Sequence, residues 1–408
     1  MEKKITKITA DEIKDSRGNP TLKVTVWSHD LSDSFSVPSG ASTGMQEVVV
    51  VENNQAIFNV QQIIAPALIG QNIENQKELD AIMLSLDGTK NKSNLGGNTI
   101  IGVSIAIAKT AAKVRGQETY QYLKTLAQIK PSHKINSGQI RKTPYLYMNL
   151  INGGKHADNN LAFQEYHIVP IVDNVSQSIE IGIKIQNTLK EIIIEEFGKD
   201  SIILGDEGGF APKISDIKKP LQLLIKAIEK NNLKNHVYLA LDVAASSFYK
   251  DGFYNINNKK INKDELMDIY KSLIEEFNLL SIEDSFNEED FESFRKLREK
   301  NKGLLVVGDD LTVTNKVLLK KAIEKGSINA IIIKPNQIGT LSETLETMQL
   351  ARENDINIIV SHRSGETDDD FIADLAYAFN CFGLKSGAPE KSERKVKYDR
   401  LKLISEIK

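Results

Sequence analysis

LLVVGDDLTVTNKVLLKKAIEKGSINAIIIKPNQIGT, residues 304–340, holds two successive strand-then-helix units. The first apolar run, Leu304 to Val307, ends in Gly308, Asp309 and Asp310. The second, Ala330 to Ile333, ends in Lys334. A short continuous apolar run before an amphipathic helix is the pattern of a strand buried on both faces of a parallel sheet. If the two strands are parallel, a carboxylate and an amine sit at the same end and face one cleft. That places a metal ligand beside a candidate base, and directs the search to the other strand ends.

Working outward from this stretch, the same rhythm begins near Thr143. Apolar runs occur at 145–150, 165–171, 201–207, 237–245, 279–284, 357–364 and 382–387. Helical periodicity is clearest over 176–197, 221–231, 263–277, 315–325 and 341–354. From Val237 on, the spacing is roughly 25–40 residues, the length of a βα unit. Eight or so such units predict a (β/α)8-type barrel. The first two strands have no helix between them, only the loop INGGKHADNN at 151–160, so the barrel is expected to be irregular at its start.

The N-terminal part reads differently. Residues 5–38 alternate apolar and polar side chains, as half-buried strands do, with DSRGNP at 15–20 as the turn. PSGASTG at 38–44 is either an ordinary flexible loop or a mobile lid whose backbone can approach a ligand closely. Residues 55–128 are mainly helical in pattern, with a break at 91–98. A polar connector follows at 129–142. The expected organisation is an α+β N-terminal domain over residues 1–135 and an irregular eight-stranded barrel domain over 136–408.

Composition excludes several classes. Of 408 residues, 26% are charged and 40% apolar, an ordinary globular balance. The formal net charge of -3 gives no reason to expect a nucleic-acid partner. The single cysteine, Cys381, leaves no internal disulfide and reads as a small buried residue in a reducing compartment. No apolar run approaches the roughly 20 residues that span a bilayer, and the start MEKKITKITADEIKD is charged. The expected location is the cytoplasm, with surface display by an unconventional route left open.

In a barrel of this type the active site lies at the C-terminal ends of the strands. The residues placed there are His156, Gln164 and Glu165, then Asp206 and Glu207, Asp242, Glu283 and Asp284, Asp309 and Asp310, Lys334, His362, Arg363 and Ser364, and Lys385. Any one has an ordinary explanation, such as a helix cap. Together the acids would repel one another unless a cation held them. Asp242, Glu283 and Asp309 occupy three successive strand ends and offer only oxygen, which suits Mg²⁺ or Mn²⁺ rather than zinc. Lys334, Lys385 and Arg363 supply positive charge for an anionic substrate, and Ser364 can help bind a phosphate. Lys334 is the candidate base, because a metal and a second lysine nearby would lower its pKa. Glu207 and Glu165 are the acid candidates across the cleft. The chemistry this fits is proton abstraction beside a carboxylate, followed by loss of a leaving group.

On these residues the chain resembles the enolase family over nearly its whole length. The matching stretches include DSRGNPT at 15–21, VPSGASTG at 37–44, NLINGGKHADNN at 149–160, QEY at 164–166 and GDEGGFAP at 205–212. They continue with LALDVAASSFYKDG at 239–252, SIED at 281–284, VGDDLTVTN at 307–315, IKPNQIGTLSETL at 333–345, SHRSGET at 361–367 and LKSGAP at 384–389. The resemblance implies reversible dehydration of 2-phospho-D-glycerate to phosphoenolpyruvate, the phosphopyruvate hydratase reaction of glycolysis and gluconeogenesis. It implies that Asp242, Glu283 and Asp309 bind one Mg²⁺, and that Ser42 helps bind a second that arrives with substrate. It implies Lys334 as base at C2, Glu207 as acid at the C3 hydroxyl with Glu165 beside it, and Lys385 at the substrate carboxylate. Arg363 and Ser364 are implied at the phosphate, with His362, His156 and Gln164 also on the substrate side. The enolase superfamily is a standard example of a Lys or His base working with one or two Mg²⁺, so that pairing is the family's and is not read from spacing.

The family also implies a homodimer, or an octamer in some members, and allows second roles in plasminogen binding or RNA-degrading assemblies. Two other readings compete. One is a different acid dehydratase or racemase of the same superfamily. The other is a catalytically weak paralogue acting as a binding or assembly protein. The latter is motivated by EVVVVENNQAIF at 47–58, visibly shorter than the family's usual segment. Pro335, after Lys334, and the centre of 388–392 are the other departures.

Overall fold

The computed structural model describes residues 3–41, 44–135 and 137–407. Ser42, expected at a second cation, lies outside the described residues.

Three antiparallel strands come first, β1 (Lys7–Lys14), β2 (Pro20–Ser28) and β3 (Leu31–Ser36), in the order β1-β2-β3. Their alternation buries Leu22, Val24 and Val26 against the helix Gly97–Val114, which is apolar on nearly every face. The turn at 15–20 does more than reverse the chain. Asp15 accepts from the N–H groups of Arg17 and Asn19, both at 2.9 Å, and from the Ser39 hydroxyl at 2.6 Å. The turn therefore pins the start of the glycine-rich loop.

The remaining strands are β4 (Tyr145–Asn152), β5 (Glu165–Pro170), β6 (Val237–Asp242), β7 (Tyr249–Lys250), β8 (Phe253–Ile256), β9 (Lys259–Ile261), β10 (Leu279–Glu283), β11 (Leu305–Gly308), β12 (Ala330–Ile333), β13 (Asn357–Ser361) and β14 (Gly383–Lys385). Eight of them close into a barrel in the order β10-β11-β12-β13-β14-β4-β5-β6. All neighbours are parallel except at β5, which runs antiparallel to both β4 and β6. This is the expected irregularity: a loop of twelve or so residues without a long helix can only return the chain alongside itself, whereas a parallel neighbour needs a crossover.

The five helices expected from periodicity are present, as Val175–Phe197, Lys219–Lys230, Lys263–Phe277, Lys316–Glu324 and Leu341–Glu353. Lys263–Phe277 shows why such segments begin and end where they do. Asn262 caps its first turn by accepting from the N–H groups of Asp264 and Glu265, and Asn278 ends it in a left-handed conformation.

Two sequence expectations need correction. The run 201–207 is not a strand end. Gly205 donates its N–H to the Gly209 carbonyl at 2.8 Å, and Leu204 bridges Phe210, so Asp206 and Glu207 ride on a tight loop. The small sheet β7-β8-β9 was not anticipated. Its signal is Asn257-Asn258, both with positive φ, the chemistry of a two-residue hairpin turn. Among the described residues, no helix is long and apolar enough to cross a membrane.

Candidate active site

Strand alternation decides which side chains meet inside the barrel. Its floor is apolar and includes Val169, Ala240, Val307, Ile332 and Ile359. Counting on by two along each parallel strand reaches Asp242, Asp309, Lys334 and, after Ser361, Arg363. On β14 the inward residues are Gly383 and Lys385. A Cβ at Gly383 would stand 2.8 Å from the Tyr147 ring, so only glycine fits there. Strand β5 runs the other way, so its order reverses: Glu165 at the rim, His167 beneath it, Val169 on the floor.

One wall carries carboxylates in excess. Lys385, buried, donates to Asp242 at 2.8 Å and to both oxygens of Glu283 at 3.0 Å. Burial pushes Asp242 and Glu283 above the ordinary carboxylate range; Glu165 and Asp309 add to it for Asp242, and Asp242 and Asp309 for Glu283. Asp284 spends both oxygens on the N–H groups of Asp309 and Asp310, at 2.9 and 2.7 Å. Asp310 itself is pushed up to about 7 by burial and by the neighbouring Asp309.

Asp309 turns to Lys334, with which it makes a close ion pair, and accepts from Gln337 at 2.9 Å. Burial opposes its ionisation, but Lys334 holds it below the ordinary range. Lys334 was expected to be lowered toward neutrality. Burial, Arg363 and Lys385 do act in that direction, but the Asp309 carboxylate outweighs them and the net shift is upward.

The opposite wall carries carboxylates matched by donors. Glu165 faces His167 Nε2 at 2.8 Å, Lys385 at 3.3 Å and His156 Nδ1 at 3.4 Å. Glu207 accepts from Asn149 at 3.0 Å and lies 3.3 Å from His362 Nε2 and 3.5 Å from His156 Nδ1. Burial would raise both acids. For Glu165 the facing ammonium and imidazoles more than offset it, and for Glu207 the two histidines do, so both are held below the ordinary range. His156 is lowered by burial yet raised overall by Glu207 and Glu165. His362 is lowered, because burial dominates.

These walls enclose a cavity of about 10 Å³, lined by His156, Gln164, Glu165, Glu207, Lys334, His362, Arg363, Ser364 and Lys385. That is room for one water. A larger cavity, about 340 Å³, lies on the other side of Arg363, lined by Ser39, Gly40, Glu47, Asn98 and Asn336 among others. Arg363 borders both. Its guanidinium donates to Glu47 at 3.0–3.1 Å and to Asn336 at 3.0 Å. Ser364 accepts from the Ala41 N–H at 2.6 Å. The small cavity gathers the titratable side chains; the large one lies beside it.

The structure thus brings together His156, Gln164, Glu165, Glu207, Asp242, Glu283, Asp309, Lys334, His362, Arg363, Ser364 and Lys385. Sequence reasoning passed over His167, Glu47, Gln337 and Arg394. Arg394, fully buried, lies 2.8 Å from His362 Nδ1 and donates to the carbonyls of Arg363 and Ser364. For His167 a signal existed: it is two residues from Glu165 on one strand, hence on the same face. Arg394 and Glu47 come from distant segments and carry no local signal.

Among the described residues, metal-ligand atoms within 4.8 Å of one another occur in two groups, Asp284, Asp309 and Asp310, and His156, Glu165 and Glu207. The trio Asp242, Glu283 and Asp309 is not one of these groups, since Asp242 and Glu283 share Lys385 while Asp309 pairs with Lys334, yet it fits a hard divalent cation. It offers buried oxygens alone, and two of the three are crowded above their ordinary pKa.

Comparison with known proteins decides the family. The profile described as "Enolase, C-terminal TIM barrel domain" matches residues 141–407, and "Enolase, N-terminal domain" matches 5–123. The chain belongs to the enolase family. Among its relatives, the enolase of Methanocaldococcus jannaschii is 44% identical over 97% of this chain and 93% of its own. That of Thermococcus gammatolerans is 42% identical over 98% and 94%. That of Methanopyrus kandleri is 42% identical over 99% and 96%. Enolase-family membership implies use of a divalent metal and of a small phosphorylated substrate, which the oxygen-rich wall and Arg363 suit.

Proposed function

We propose that this chain dehydrates 2-phospho-D-glycerate reversibly to phosphoenolpyruvate, as the enolase step of glycolysis and gluconeogenesis. One observation carries the mechanism. Lys334 at β12 and Glu165 at β5 are four strands apart in an eight-stranded barrel, so the base faces the wall of Glu165 and Glu207 across the cavity. A proton leaves one face of the substrate and hydroxide departs from the other.

Lys334 removes the C2 proton. Only Asp309, with help from Glu283, holds its pKa up, so engagement of Asp309 elsewhere releases the amine as a base. Asp242, Glu283 and Asp309 would hold one Mg²⁺, and Ser42 would contribute to a second bound with substrate. Bound there, the metal would supply positive charge beside the substrate carboxylate. Lys385 adds a fixed ammonium at the same place. On the opposite wall the mobile proton rests on His156, the group raised by its neighbours, and reaches the departing C3 hydroxyl through Glu207. Arg363 and Ser364 take the phosphate, and Gln164 and His362 orient the substrate. Binding must widen the cavity on the Ser39–Gly40 side, where Glu47 occupies Arg363.

We place the domain boundary in the connector 129–142, the protein in the cytoplasm and its assembly as a homodimer. The weak-paralogue reading has little to support it, since every expected chemical residue is present in the sequence. The test is Mg²⁺-dependent growth of phosphoenolpyruvate absorbance on adding 2-phosphoglycerate to the folded protein. No growth overturns the proposal.

A further inference from the structure

We propose that His167 is a positioning residue for the acid wall: it holds Glu165 Oε2 from beneath, keeping Glu165 an oriented anion while the transferable proton stays with His156 and Glu207. This rests on the reading of that wall given above.

His167 is 1% exposed and lies one layer below the rim. Its cross-strand neighbours are Asn149 on β4 and Ala240 on β6, and its ring meets Tyr147 edge-on at 6.0 Å. Ala240, Tyr147 and Gly383 make this layer small or apolar. An aliphatic side chain would satisfy packing there. An imidazole instead leaves Nδ1 buried without a hydrogen-bond partner. Such a group is costly to bury, and the one polar contact it gains is Nε2 to Glu165 Oε2 at 2.8 Å.

The contact fixes the proton. A carboxylate only accepts, so Nε2 must carry the hydrogen. Protonating Nδ1 as well would bury an unpaired N–H, so the ring is neutral and protonated at Nε2. The tautomer is assigned from this network.

The two oxygens of Glu165 then have different duties. Oε2 points to the floor, where His167 donates at 2.8 Å and the Lys385 ammonium makes an ion pair at 3.3 Å. Oε1 lies 3.4 Å from His156 Nδ1, at the cavity. With His167 nearest to Oε2, Lys385 keeps its shorter contacts for Asp242 and Glu283. The charged and titratable groups around His167 are Glu165 on its own strand, Tyr147 from β4, Asp242 opposite Glu165 on β6, and Lys385 from β14. None offers His167 a second partner among the described residues.

The test compares His167→Met with His167→Gln in the full chain. Losing a hydrogen bond to a buried carboxylate is expected to lower kcat about tenfold with KM within about twofold, and to move the acid limb of the kcat–pH profile up by about one pH unit. Gln, which keeps an N–H donor, should restore most of both. Unchanged kcat and acid limb in His167→Met overturns the proposal. So does a loss with an unmoved acid limb and no rescue by Gln, which is what packing alone predicts. A readout independent of activity is the ¹⁵N spectrum of labelled histidine. It should show a neutral ring protonated at Nε2, absent from His167→Met. A His167 ring protonated at Nδ1 overturns the inference even in a protein without enolase activity.

Discussion

The two walls of the cavity are built from different backbone and carry opposite electrostatics. Asp242 and Glu283 end β6 and β10 and Asp309 follows β11, three neighbouring parallel strands whose one irregularity is a register shift near Leu279. Glu165 and Glu207 come from the one reversed strand and from a glycine-rich loop. On the first wall, burial and crowding push Asp242, Glu283, Asp284 and Asp310 above the ordinary carboxylate range. On the second, burial is outweighed and both acids are held below it. Equal burial gives opposite results because the donors differ. Where carboxylates outnumber donors the wall is suited to a cation. Where donors match them it provides fixed anions and a shared proton.

The largest expected effect separates base from acid. Lys334→Ala should lower turnover by about 10³–10⁴-fold and abolish exchange of the C2 proton with deuterated water, while substrate still binds. Glu207→Gln should lower turnover by about 10²–10³-fold but leave C2 exchange measurable, because its step follows proton removal. Loss of exchange in both variants would break the division between the walls.

A smaller effect concerns the cation. Asp242→Asn should weaken Mg²⁺ binding by at least about 10–100-fold, measured by calorimetric titration. It should barely change the melting temperature in chelator, because Lys385 keeps Glu165 and Glu283 as partners. Undiminished Mg²⁺ affinity would remove Asp242 from the cation site.

The same contrast explains what could be read from the sequence. On regular strands, alternation carries an inward floor residue to an inward rim residue, as from Ile332 to Lys334, so the cation wall was legible strand by strand. Pro335 fits the same logic: it leaves Lys334 extended, at φ -127°, and opens the next short helix. Glu165 and Glu207 were also reached as expected strand ends, although 201–207 forms no barrel strand. Nothing local says that 201–207 turns back on itself. The helix-free loop before β5 does signal its reversal, and with that reversal His167 falls beneath Glu165. The support of Lys334 was hidden too. Val313 and Thr314 both adopt positive φ, costly for β-branched residues. That turn lets the Thr314 hydroxyl accept the Lys334 N–H at 2.9 Å and donate to Gln337 at 2.8 Å, while Gln337 holds Asp309.

The smallest expected effect is a pH dependence, and it isolates one wall from the other. Asp310 has an ordinary value of 3.8 and is pushed up to about 7 when folded. Between those values the native chain holds a proton that the unfolded chain has released, so stability falls as pH rises through that window. Glu165 and Glu207 have the opposite sign. Their folded values are depressed, so their contribution is fully present above the ordinary carboxylate range and is lost only as pH falls below it. From about pH 5 to 7 the acid wall's carboxylates are therefore flat and the cation wall's decline. The single proton on Asp310 bounds its own share of the slope at about 1.4 kcal/mol per pH unit. In chelator, urea unfolding at about pH 5, 6 and 7 should show stability falling in the parent protein, a flatter profile in Asp310→Asn, and the parent slope kept in Glu207→Gln. His156, raised, adds to the decline and His362, lowered, opposes it, but both are common to the parent and Asp310→Asn. An identical slope in those two proteins would mean that Asp310 is ionised when folded, and that crowding on the cation wall is relieved by something other than a retained proton.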